Sequence, residues 1–245
     1  MTLTMLEGTG ITKRFGGLIA LNNVDFRIDE EEILALIGPN GSGKTTLFNV
    51  ITGLIKPDKG RVTFNGSDIT HKPPHEIAKS GIARTFQIVR PFKNLSVREN
   101  VAIAAMHGKE PLDMRRALKR AEELLRVVGL EDRIYSTANS LTLMEMKRME
   151  VARALALSPR ILLLDEPMAG LRPSEIDQAN QLINHIRAEL GVSVFLVEHV
   201  MKVVVSVADR VMVLNYGEKI AEGTPTQVMN ETKVIEAYLG AREMR

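Results

Sequence analysis

Gly38-Pro39-Asn40-Gly41-Ser42-Gly43-Lys44-Thr45-Thr46 directly follows the apolar run Ile33–Ile37, and no other stretch of the chain restricts its fold so strongly. Glycines at 38, 41 and 43 let backbone N–H groups curl around an oxyanion without Cβ clashes. Gly38, Gly43, Lys44 and Thr45 fit the spacing G-x-x-x-x-G-K-[ST]. In that pattern the lysine reaches the β- and γ-phosphates and the hydroxyl ligates Mg²⁺. A helix starting near Lys44 adds its positive dipole end. A loop of this kind needs a buried strand before it and a helix after it, so the chain is predicted to be α/β.

A second constellation closes the run Ile161-Leu162-Leu163-Leu164-Asp165-Glu166-Pro167. Four apolar residues end in two adjacent acids, at the strand end where ligands sit in open α/β sheets. Asp165 suits Mg²⁺, held through water, and Glu166 suits a general base that poises the attacking water. The runs 194–197 and 211–214 also read as buried parallel strands. Between strands, residues 174–190 form an amphipathic helix pattern, with Ser174 as N-cap and Ile176, Ala179, Ile183, Ile186 and Leu190 on one face. Strand–helix alternation of this kind argues for a parallel sheet. Residues 5–30 and 60–70 alternate and carry turn glycines, which predicts added antiparallel strands.

The middle of the chain differs. Ser96 and Glu99 form a capping box that opens a helix to about Met106. Residues 113–128 form a second helix pattern, stopped by Gly129, and 107–111 read as the loop between the two. The stretch LTLMEMKRMEVARAL (141–155) opens on a Thr142/Glu145 capping box and places Leu141, Met144, Val151 and Leu155 on one stripe. Residues of about 88–157 are therefore predicted to be all-helical, set between an early strand and a later one.

Composition excludes several classes. A chain of 245 residues, 44% apolar, can bury the core of one large α/β domain with an insertion. A net charge of +2, few aromatics and no Lys/Arg block give no footprint for nucleic acid. Without cysteine there is no disulfide framework and no thiolate metal site. The first ten residues lack the basic and apolar regions of a signal peptide. No apolar run approaches the roughly 18 residues of a spanning helix, so any membrane role is expected to come through partners. His71, His75, His107 and His185 lack clustered partners and read as surface.

From about residue 6 to 239, the order of these motifs resembles the ATP-binding subunits of ABC transporters. The resemblance implies a P-loop NTPase (RecA-like) core with an antiparallel β subdomain and an inserted all-helical subdomain. It implies a single ABC ATPase domain over 1–245, with the core at about 1–87 and 158–245 and the insert at about 88–157. It implies that residues 38–46 bind ATP, that Thr45, Gln87 and Asp165 hold Mg²⁺, and that Glu166, His199 and Gln87 carry catalysis. Gln87, in ARTFQIVRP, matches the glutamine loop, and His199, in FLVEHV, matches the switch histidine. Phe15, in KRFGGLIAL, matches the aromatic that stacks on adenine, although either Phe15 or Phe26 fits the core. AGLRP (169–173) matches the loop that touches the opposite subunit.

The family signature falls on Thr142, Leu143, Met144 and Glu145, which would contact ATP bound by the partner. Here the sequence departs from the usual L-S-G-G-Q pattern. Met144 stands for a glycine and Glu145 for a glutamine. The methionine thioether is expected to obstruct backbone approach to phosphate, and the glutamate to oppose the helix dipole. Within the family, FGGLIALNNV, GIARTFQIVRPFKNLSVREN, MAGLRPSE and EGTPTQVMNETKVIEAYLG resemble the larger ATPase of branched-chain amino acid importers. That implies a paralogous ATPase or a second copy as dimer partner, two transmembrane permeases and, indirectly, an extracytoplasmic solute-binding protein. It implies a peripheral place on the cytoplasmic face of the cell membrane and no nucleic-acid partner. Residues 87–95, with Val89, Pro91, Phe92 and Leu95, are expected either to receive a permease helix or to pack the insert. Another transported solute, or a non-transport ABC ATPase, is the alternative. The latter usually carries two ATPase units or a long coiled coil, and this chain has one phosphate loop and no heptad run.

Overall fold

A computed structural model describes residues 3–243. The chain divides into two compact units, residues 1–74 with 183–245 and residues 75–182. The first contains β1 (Thr4–Phe15), β2 (Leu18–Asp29), β3 (Ile33–Ile37), α1 (Lys44–Ile51), β4 (Lys59–Phe64) and β5 (Ser67–Asp68). At the second unit, α2 (Pro74–Ser80) leads to β6 (Ile82–Arg84), α3 (Val97–Ala105), α4 (Met114–Val127), α5 (Leu143–Leu155) and β7 (Ile161–Asp165). Short 3₁₀ turns at Glu131–Arg133 and Ala138–Ser140 join α4 to α5. After α6 (Pro173–Leu190) come β8 (Ser193–Val197), α7 (Met201–Val207), β9 (Arg210–Asn215), β10 (Glu218–Gly223), α8 (Pro225–Met229) and α9 (Thr232–Glu243).

In the first unit, β1 pairs antiparallel with both β2 and β4, and β4 with β5. The glycine-rich alternating stretches therefore form a sheet order β2-β1-β4-β5. Strand β3 lies parallel between β8 and β9, and β10 returns antiparallel to β9. All five side chains of β3 and of β8 are buried, which is why these strands read as continuous apolar runs. Phe195 of β8 anchors the core. Its ring centroid is 5.9 Å from that of Phe26 in β2 and 5.0 Å from that of Phe48 in α1.

In the second unit, β6 and β7 run parallel, with Arg84 opposite Leu163. Residues 88–157 hold helices and one isolated bridge between Ser96 and Thr137. Val97, Val101, Ala117, Ala121, Leu124, Met149 and Ala152 form the buried faces of α3, α4 and α5. Both capping boxes are made, at Ser96/Glu99 and at Thr142/Glu145. Asp113 caps α4, and Gly129 takes φ 69° just past its end. The compact unit around these helices reaches to 75–182 because the backbone pairing of β6 with β7 belongs to it.

Helix α6 corrects two expectations. It begins at Pro173, so Ser174 lies inside its first turn rather than at the N-cap. The backbone N–H of Arg172 donates instead to the Glu175 carboxylate at 2.7 Å. A proline at the first helical position has no N–H to leave unpaired and a φ already set for the helix. Leu190 is 37% exposed, and the buried stripe is carried by Ile183 and Ile186. The fold is that of a P-loop NTPase, with mixed α/β sheets.

Candidate active site

The phosphate loop lies in the first unit, between Ile37 of β3 and Lys44 of α1. Gly38, Gly41 and Gly43 have φ angles of 150°, 78° and 107°. A Cβ on Gly38 would stand 2.1 Å from the Leu214 carbonyl oxygen in β9, and one on Gly43 2.5 Å from that of Ala20 in β2. The loop is thus wedged against backbone on two sides. Gly217 also donates its N–H to the Ser42 carbonyl at 3.0 Å. Lys44 is buried, and its Nζ donates to the Gly38 and Pro39 carbonyls at 2.7 and 2.9 Å. That curls the ammonium over its own loop, where phosphate oxygens can exchange for the two carbonyls as stronger, charged acceptors. Asn40, Gly41 and Thr45 are exposed, Pro39, Gly43 and Thr46 half-buried, and Ser42 buried.

Backbone contact at Gly38 sets an expected result. Gly38→Ala should lower the melting temperature by roughly 5–10 °C, a cost of about 2–3 kcal/mol. Gly41→Ala, whose Cβ would meet nothing within 4 Å, should cost only the positive-φ strain of about 1 kcal/mol. Equal losses in calorimetry would show that the Leu214 carbonyl yields to a methyl group.

Phe15 ends β1 and is 47% exposed, with the Lys13 ammonium 5.5 Å from its ring centroid. Phe26 is 4% exposed and stacked in the core, so the open aromatic face of the pair is that of Phe15. His199 follows β8 and is exposed. Glu198, fully buried, accepts the backbone N–H of His199 at 3.1 Å and that of Val200 at 3.4 Å. This carboxylate shapes the turn that presents the imidazole. Sequence reasoning passed over Glu198, although it follows an apolar strand just as Asp165 does.

Asp165, Glu166 and Gln87 lie in the second unit. The parallel register of β6 and β7 brings the residues after both strands to one edge. Gln87 Nε2 donates to Glu166 Oε2 at 2.8 Å, and Lys147 Nζ of α5 donates to the Glu166 carbonyl at 3.1 Å. Glu166 takes φ 49°, a left-handed conformation that costs a non-glycine residue on the order of 1 kcal/mol. Strain of this sort clusters where surrounding structure must aim a side chain. Asp165 is buried and ion-paired with Arg84, Nη2 to Oδ2 at 2.6 Å. Arg84 was not among the expected site residues, because a lone arginine after two apolar residues carries no motif.

No group of three or more His, Asp or Glu side chains among the described residues could hold a metal alone. Mg²⁺ commonly takes one or two carboxylates and completes its shell with water and substrate phosphates. In the second unit Asp165, whose Oδ1 accepts no hydrogen bond among the described residues, is a hard oxygen donor of the kind Mg²⁺ takes; in the first unit the exposed Thr45 hydroxyl is another.

At the start of α5, Thr142 Oγ1 accepts the Glu145 N–H at 3.3 Å, and Glu145 Oε2 accepts the Thr142 N–H at 2.8 Å. Glu145 Oε1 also accepts from Arg133 Nε at 2.7 Å. Partial burial pushes this carboxyl up, but the hydrogen bonds from Thr142 and Arg133 outweigh it and hold it below the ordinary range. Met144 is only 9% exposed, so its thioether packs inward with the apolar stripe and does not stand at the helix tip as expected. Leu143 stands there instead, 45% exposed, beside Gly170 of the AGLRP loop.

The chain is similar to known proteins over nearly its full length. The family described as ABC transporter matches residues 21–169, and one described as branched-chain amino acid ATP-binding cassette transporter matches residues 218–243. The chain is 41% identical to the high-affinity branched-chain amino acid transport ATP-binding protein BraF of Pseudomonas aeruginosa, covering 98% of this chain and 99% of that one. Identity to the corresponding protein LivG of Escherichia coli is 40%, with the same coverage. The solved ADP conformation of MJ1267, an ATP-binding cassette of an ABC transporter, superposes with a TM-score of 0.88 at 34% identity, covering 98% of this chain and all of that one.

Proposed function

The chain belongs to the ABC transporter family, and we propose that within it the chain is the ATP-hydrolysing motor of an importer for branched-chain or related amino acids. It binds ATP and is an ATPase. The observation that carries the solute is the end-to-end similarity to BraF and LivG, joined to the family-specific match at residues 218–243. No described helix is long and apolar enough to cross a membrane; in this reading membrane permeases supply the passage. In this reading the chain sits at the cytoplasmic face, pairs with a paralogous ATPase or a second copy, and serves two permeases fed by a solute-binding protein.

Each candidate residue has a role that its chemistry permits. Lys44 and the loop N–H groups hold the phosphates, Phe15 stacks on the adenine, and His199 contacts the γ-phosphate. Thr45 and Asp165, with Gln87, would hold Mg²⁺, which neutralises phosphate charge. Glu166 takes the proton of the attacking water, and its bond from Gln87 keeps the carboxylate facing one way. Copurification of the chain with its permeases and partner ATPase, followed by reconstitution in vesicles, tests the solute. ATP-dependent uptake of leucine is expected, competed by isoleucine and valine. Uptake of a different solute by the same complex would establish the alternative.

The permease-facing surface has its own test. Asn100, fully buried in α3, accepts the Phe92 N–H at 2.8 Å and donates to the carbonyls of Phe92 and Ser96 at 3.1 and 2.9 Å. The backbone is thereby pinned while the Phe92 ring stays 49% exposed under the Arg153 guanidinium. Ile88 is 70% exposed. Phe92→Ala should therefore leave the fold and the basal ATPase intact and cut coupled transport at least tenfold. Unfolding of the isolated Phe92→Ala subunit would assign the ring to packing.

A further inference from the structure

The buried ion pair between Arg84 and Asp165 has no part in the roles given above. Both side chains are almost fully enclosed, 5% and 6% exposed, and the contact is 2.6 Å. The two residues stand 81 positions apart and meet because β6 and β7 run parallel and end together. Phe86, half-exposed, covers the guanidinium at 5.1 Å. Thr85 braces the same junction: its N–H donates to the Leu163 carbonyl at 2.9 Å, and its hydroxyl accepts the Asp165 N–H at 3.4 Å. Three residues beyond Arg84, Gln87 reaches Glu166. The segment 84–87 thus meets both acids at the end of β7.

A buried carboxylate needs a compensating charge at all times. Arg84 supplies it through Oδ2 and leaves Oδ1 without a protein partner among the described residues. Resting on the reading of Asp165 as a Mg²⁺ ligand, we propose that Arg84 is a positioning residue: the resident counter-ion of Asp165, which stabilises the acid before Mg²⁺ arrives and lowers its affinity for Mg²⁺ afterwards. A guanidinium cannot be deprotonated in a protein. Its charge would therefore persist beside a bound cation, and the single carboxylate of Asp165 would have to serve both positive charges. The pair would thus set a threshold, so that Asp165 would hold Mg²⁺ only when nucleotide phosphates add their own oxygens.

The test uses the full-length chain, with Mg²⁺ titrated at fixed concentration of a fluorescent ATP analogue and thermal melting followed in parallel. Arg84→Gln should lower the Mg²⁺ concentration for half-saturation about tenfold, since one opposing unit charge at close range is removed. It should also lower the melting temperature without Mg²⁺ and recover most of that loss with Mg²⁺ and nucleotide. Equal losses under both conditions, or an unchanged or raised half-saturation point, would overturn the proposal. If Arg84→Gln does not fold, the double variant Arg84→Gln/Asp165→Asn, in which both charges of the pair are removed, should fold. Failure of the double variant would equally overturn the proposal, because Arg84 would then serve the fold independently of Asp165. Asp165→Asn separates the two layers. If it leaves the Mg²⁺ titration unchanged, Asp165 is not a ligand and the underlying reading fails. If it weakens Mg²⁺ binding while Arg84→Gln does nothing, the ligand stands and the counter-ion role is lost.

Discussion

Glu166→Gln is expected to bind ATP as the wild-type chain does and to hydrolyse it about 10²–10⁴-fold more slowly, a rise of roughly 3–5 kcal/mol in the barrier. The substitution removes the proton acceptor and little else. Glutamine keeps the length of the side chain, and the left-handed backbone at φ 49° is set by the residues around it. The Lys147 bond goes to the backbone carbonyl and survives the change. Gln87, which donates to the carboxylate at 2.8 Å, can donate equally to an amide oxygen. ATP affinity and melting temperature should therefore stay near wild type. Lys44→Ala should do the opposite, weakening nucleotide binding itself, because the buried ammonium is the loop's positive charge. Steady-state hydrolysis by Glu166→Gln near the wild-type rate would remove Glu166 from its role.

The second large effect is an asymmetry between two lysines. In a dimer with a paralogue whose signature is glycine-rich, Lys44→Ala in this chain should nearly abolish turnover. The equivalent change in the partner should cost far less. The reason lies at the start of α5. Helix N-termini bind anions through free N–H groups and a positive dipole end. Here the Glu145 N–H already serves Thr142, and the Glu145 carboxylate is held by the Thr142 N–H and by Arg133. Those bonds keep the carboxyl below its usual range, so it is charged at neutral pH and opposes a dipole term of about 0.3–2 kcal/mol. Two N–H groups at this helix end are thus already bonded and a charged carboxylate stands beside them, so the partner's ATP would gain less from it. In the proposed dimer, ATP held by this chain's own Lys44 would face the partner's signature, and that site would carry the turnover. The mixed dimer, assayed with each lysine replaced in turn, decides the matter. Equal losses, or brisk hydrolysis by this chain as a homodimer, would sink the idea. So would a Glu145→Gln variant that leaves the two sites as unequal as before.

What the sequence alone determined was local. Residues 38–46 are contiguous, and their chemistry depends on backbone freedom at Gly38, Gly41 and Gly43, so spacing was enough to read a phosphate loop. Capping boxes span four residues, and both formed as read. Buried strands announce themselves as apolar runs because both faces are covered. Pairings between distant residues left no such trace. Strand β6 is three residues long, too short for a periodic signal, yet it delivers Arg84 to Asp165 across 81 positions. Glu198 lay unnoticed beside His199 because a carboxylate bonded to backbone N–H groups has no motif. Helix periodicity already placed Met144 on the buried stripe, but the motif comparison aimed its thioether at the tip, and only packing decided between them. Which of Phe15 and Phe26 is open was settled by a contact with Phe195, in a strand some 170 residues further on. Local patterns fix conformations a few residues long, whereas charge compensation and exposure depend on neighbours that only the folded chain brings together.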